Sequence, residues 1–91
     1  MIYKYELVHN STEGYRNAVK LPKGAKVIKA KLDKLTMLGF QWNIWVLFDP
    51  NEPEEELFEF ETVATGFEFD YTNYIETVFT EGNMVWHLMM K

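Results

Sequence analysis

Residues 40–48, Phe-Gln-Trp-Asn-Ile-Trp-Val-Leu-Phe, constrain this chain more than any other segment. Phe40, Trp42, Ile44, Val46 and Phe48 fall on one side of an extended ribbon; Gln41, Asn43, Trp45 and Leu47 fall on the other. A period of two is the mark of a strand, because successive side chains leave opposite faces. Bulky apolar groups on both sides predict a central strand, buried on one face and partly covered on the other. No stretch of comparable length shows the 3.6-residue period of an amphipathic helix.

The alternation recurs. At 2–8, Tyr3, Tyr5 and Leu7 oppose Lys4 and Glu6; at 25–33, Ile28, Ala30 and Leu32 oppose Lys29 and Lys31. At 57–64, Phe58, Phe60 and Thr62 oppose Glu59, Glu61 and Val63. Segments 74–80 and 84–90 follow the same rule, and 16–21 is a shorter candidate. Turn signals separate them: polar 9–15 with Gly14, Pro22-Lys23-Gly24, a connector at 34–39, proline-bearing 49–56, polar 70–73 and Glu81-Gly82-Asn83. Proline fixes φ and lacks a ladder donor, and glycine permits positive φ. The expectation is a single mostly-β domain over 1–91: a small antiparallel sandwich or partly open barrel of six or seven strands. At most one short helical turn is expected, at 70–73.

Composition narrows the function classes. An apolar content of 47% with 16% aromatics sets the chain apart from disordered sequences. The absence of cysteine excludes a disulfide scaffold, a thiolate zinc site and a cysteine nucleophile. No apolar run reaches the roughly 18 residues of a spanning helix, and Glu6 breaks any leader-like start, so a membrane partner is not expected. Charge is divided: 1–45 holds eight Lys or Arg against three acids, and 46–91 holds eleven acids against Lys91. A net charge of −5 argues against duplex DNA as a partner. The two halves either neutralise each other across a sheet or offer a charged surface to a partner.

Three residue sets are candidate surfaces. Asp49, Glu52, Glu54, Glu55, Glu56, Glu59 and Glu61 form an acidic set able to meet a basic partner. Its spacing lacks the glycine and ligand pattern of a calcium loop, and Glu59 and Glu61 read as solvent-facing, so no metal site is assigned. Lys23, Gly24, Lys26, Lys29 and Lys31 surround a turn whose backbone N–H groups suit an anion, such as a nucleotide-like ligand. Trp45 and Leu47, with Val85 and Met89, form a possible second apolar surface for a homodimer or partner. The two histidines point away from catalysis. His9 lies in a polar stretch beside Ser11 without a nucleophile elbow, and His87 alternates with Val85 and Met89 as a half-buried sheet residue. No catalytic residue and no cofactor are assigned.

Several motifs in order complete the reading: Ile2-Tyr3-Lys4-Tyr5-Glu6-Leu7, Leu21-Pro22-Lys23-Gly24-Ala25, Trp45-Val46-Leu47-Phe48-Asp49-Pro50, Ala64-Thr65-Gly66 and Val85-Trp86-His87-Leu88. The set resembles a family of short, uncharacterised phage and prophage proteins, across nearly the whole chain. The resemblance implies a phage-encoded protein acting in the host bacterial cytoplasm and transfers no catalytic residue. The leading expectation is a non-enzymatic accessory protein that binds, and inhibits or modulates, a host protein through acidic and aromatic surfaces. The alternatives are a small-molecule binder sequestering a nucleotide-like ligand at the lysines, and a minor structural protein of the virion.

Overall fold

Strand β4 (Gly39–Leu47) is the centre of the first sheet because partners pair along its length on both sides. The computed structural model, which describes all 91 residues, places β1 (Ile2–Asn10) antiparallel on one flank and β3 (Lys26–Leu35) on the other. The second sheet is also antiparallel, in the order β2 (Arg16–Pro22), β5 (Glu55–Ala64), β7 (Val85–Met90), β6 (Asn73–Phe79). The sheets face each other as an open sandwich, with β1 beside β2 and β3 beside β6 at the margins. Strand β7 pairs with β5 only from Phe60 to Ala64, so Glu55–Phe58 has a neighbour on one side alone, β2. Single 3-10 turns occupy Ser11–Glu13 and Glu81–Asn83, both between strands, and 70–73 carries none.

The alternation in β4 becomes the core. Phe40, Trp42, Ile44 and Val46 are buried, and with Leu7 and Ala30 they meet Leu21, Phe60 and Leu88 of the facing sheet. Phe40 and Trp86 pack with ring centroids 4.7 Å apart, and Tyr15 borders both. Removing a side chain the size of Trp42 or Phe60 from such a core costs about 3–5 kcal/mol.

Two expectations are corrected here. Ile28 does not share the inward face of Ala30 and Leu32. A bulge between Val27 and Lys29 makes Ile28 an extra residue, so Val27 turns inward and Ile28 is left exposed. An extra residue reverses the alternation on one side of it, and a strict period of two cannot anticipate it. His9 is not in a loop. It belongs to β1, pairs with Phe40, and has no solvent exposure.

His9 lies at the centre of a polar cluster that joins the sheets. The Trp42 indole N–H donates to Thr62 Oγ1 at 3.0 Å. Asn17 Oδ1 lies 2.7 Å from His9 Nε2 and can only accept, so Nε2 carries the ring proton. His9 Nδ1 then accepts from the Thr62 hydroxyl at 2.6 Å. Burial pushes the imidazole pKa down from 6.5 to about 4, with the Asn17 hydrogen bond acting weakly in the opposite sense.

The unfolded imidazole gains its proton near pH 6.5 and the folded one only near 4. Stability is therefore full above pH 6.5 and declines as pH falls towards 4, by about 3 kcal/mol in total. Urea denaturation across that window measures the decline, and His9→Gln flattens this part of the profile. Separately, a Cβ on Gly39 would sit 1.8 Å from the carbonyl oxygen of His9, which is backbone and has no room to move. Gly39→Ala should cost on the order of 2 kcal/mol or more, read as a lowered denaturation midpoint.

Candidate functional site

The outer face of the four-stranded sheet carries a formed concavity. After β5, residues 65–72 do not continue the ladder. They lie against the sheet, with Tyr71 buried on Val63 and Met89. Arg16 on β2 fastens this segment: its guanidinium donates to Glu61 on β5 and to Asp70 at 3.1 Å, and stands 5.1 Å from the centre of the Tyr71 ring. These contacts combine charge-assisted hydrogen bonds with a cation–π contact. Both carboxylates favour the charged guanidinium and raise its pKa further, Glu61 most. Between segment and strands lies a groove of about 320 Å³ lined by Val63, Phe67, Phe69, Tyr74, His87 and Met89.

A row of polar groups borders the groove, three of its members, Thr65, Tyr74 and His87, lining it. The hydroxyls of Tyr74 and Thr77 are 2.7 Å apart; Thr77 Oγ1 is 2.9 Å from His87 Nδ1, and His87 Nε2 is 2.7 Å from Thr65 Oγ1. Each hydroxyl can donate or accept, so the row serves either imidazole tautomer. Both ring nitrogens are engaged and neither meets a carboxylate, so the orienting acid of a Ser-His-Asp type triad is not at the ring. The row suits positioning and hydrogen bonding of a bound group. No three His, Cys, Asp or Glu side chains gather as metal ligands, and no helix is long and apolar enough to cross a membrane.

The acidic set divides on inspection. Glu54 pairs with Lys23 at 3.2 Å, and Glu59 pairs with Lys91 at 3.3 Å. Asp49 and Glu52 accept from backbone N–H groups within their own loop, and Glu55 is exposed. Glu61 departs from the expected solvent-facing position: its side chain is 7% exposed and paired with Arg16, and Oε1 has no hydrogen-bond partner. The lysine set divides too. The Gly24 N–H that suited an external anion donates to Glu56 Oε1 at 3.1 Å, so the turn holds the chain's own carboxylate. Lys26, Lys29 and Lys31 stand instead on the outer side of the three-stranded sheet and form no ion pair. Trp45 and Leu47 share that outer side, whereas Val85 and Met89 belong to the other sheet. The four therefore do not form one apolar surface; period two gives each strand's faces but not which sheet a strand joins. The groove residues Phe67, Phe69 and Tyr74 were missed as a site. Their signal was Phe-x-Phe straight after Gly66, an apolar pair where the ladder stops.

A family model described as a domain of unknown function, DUF7352, matches residues 1–91. The chain belongs to that family. No curated protein and no solved structure matches it. The family description assigns no activity.

The Arg16 clasp gives a direct test. Arg16→Met leaves the Glu61 carboxylate buried without its cation, at a cost of about 2–4 kcal/mol. Adding Glu61→Met should recover only part of the loss, because it removes the unpaired buried carboxylate while the Arg16 contacts to Asp70 and Tyr71 stay lost. Thermal denaturation of the two variants measures both steps.

Proposed function

We propose that this DUF7352 domain is a non-enzymatic binding module: a phage-type accessory protein that engages and modulates a bacterial host protein in the host cytoplasm. The observation that carries this reading is the groove on the four-stranded sheet. Phe67 is 70% exposed, Phe69 49% and Tyr74 60%, and all three border one preformed concavity. Solvent-exposed aromatics around a pocket are the usual anchors of a protein interface, since they bury large area with little rotamer entropy to lose. The Arg16 clasp holds the segment bearing Phe67 and Phe69, so little ordering cost remains at binding.

Charge supports the same partner class. Strands β2, β5, β6 and β7, with the segments joining β4 to β5, β5 to β6 and β6 to β7, hold eleven acids against Arg16, Lys20 and Lys91. The matching partner presents an apolar side chain to the groove within a basic surface, and the acidic field speeds its approach. This keeps the acidic and aromatic recognition expected from the sequence and moves its aromatic part from Trp45 to Phe67, Phe69 and Tyr74.

The test begins with affinity capture from bacterial lysate and proceeds to kinetics with the purified partner. Phe67→Ala with Phe69→Ala should weaken binding by roughly tenfold or more, chiefly through faster dissociation. Glu55→Gln, Glu68→Gln and Glu81→Gln together should slow association and flatten its salt dependence while leaving dissociation nearly unchanged. A partner whose affinity ignores the two phenylalanines would remove the proposal.

A further inference from the structure

The outer face of the three-stranded sheet has the opposite character. Its register aligns side chains in cross-strand rows: Lys4–Trp45–Lys29, Glu6–Asn43–Lys31 and Val8–Gln41–Lys34, with Lys26 beside Leu47. None of Lys4, Lys26, Lys29, Lys31 or Lys34 forms an ion pair. Trp45 is half-buried and has Lys4 and Lys29 as its cross-strand neighbours. Gln41 donates to Asp33 at 3.4 Å, and Glu6 is the one acid within the rows.

We propose that this face binds single-stranded nucleic acid, with backbone phosphates on the lysines and a base on Trp45. Charge complementarity selects the occupant. A second copy docked face to face would bring lysines against lysines. Three strands span only about 10 Å, and an aromatic platform serves a base freed from its pair, so duplex DNA gains little here. An acidic protein would answer the charges but leave the indole without a flat ring to stack on. Lysines interleaved with an aromatic are the arrangement by which sheets hold single strands without reading much sequence. The site is distinct from the Gly24 turn, which is filled by Glu56, and it does not depend on the groove of the other sheet.

Fluorescence anisotropy with a labelled thymidine oligonucleotide of about 20 residues, at about 50 mM salt, tests the assignment, beside the matching duplex and a polyglutamate competitor. The single strand should bind, with a log–log salt slope near −0.7 for each phosphate neutralised. Lys29→Glu with Lys31→Glu, both exposed, should weaken binding by roughly tenfold or more, and Glu6→Gln should tighten it. Binding should quench tryptophan fluorescence, and the quench should vanish in Trp45→Leu; should that variant fail to fold, the lysine pair and Glu6→Gln still decide. Absence of binding, an unchanged affinity in the lysine variant, equal affinity for the duplex, or displacement by polyglutamate at equal charge concentration would each overturn the proposal.

Discussion

A neutral imidazole joins the two sheets at their centre. His9 and Trp42 come from one layer, Thr62 and Asn17 from the other, and the hydrogen bonds among them run in a single consistent direction from indole to carboxamide. Apolar contacts between sheets tolerate sliding, because dispersion has no direction. A buried polar cluster does not, since each displaced donor or acceptor is left desolvated and unpaired, at about 1–3 kcal/mol apiece. The cluster therefore fixes how β1 and β4 lie over β2 and β5. The core around Trp42, and the outward faces that bear the candidate surfaces, inherit that alignment.

Charge is handled on a second level. Arg16 and Lys23 cross between the basic and acidic parts of the sequence to reach Glu61 and Glu54, and Glu56 closes on the Gly24 turn. These contacts consume little of the total. The remainder stays segregated, lysines on the outside of one layer and carboxylates on and around the other. An acidic isoelectric point thus describes the molecule's sum and neither of its sides.

Much of the fold was legible because the core strands follow period two closely. Phe40 to Val46, and Trp86, Leu88 and Met90, face inward as their alternation requires. Legibility ended where one residue breaks the count, as at Ile28, and where partners are far apart in sequence. Nothing near His9 signals burial, because the groups that satisfy it, Thr62 above all, arrive from another sheet. The same distance hid the Arg16 clasp and split the Trp45 and Met89 sets. Residues 65–72 carried no periodicity to read, yet they wall the groove, since their placement is decided by Arg16 and by the surface of Val63 and Met89.

The incomplete pairing of β5 gives the acidic run a further meaning. From Glu55 to Phe58 the strand exposes one row of backbone donors and acceptors, a template on which a foreign strand could polymerise. Glu55, Glu56 and Glu59 occupy or flank that open margin, and Pro50 and Pro53 precede it. Such gatekeepers oppose edge-to-edge growth by repulsion and by withholding amide donors. The carboxylates that colour this side of the molecule thereby also help keep it from aggregating.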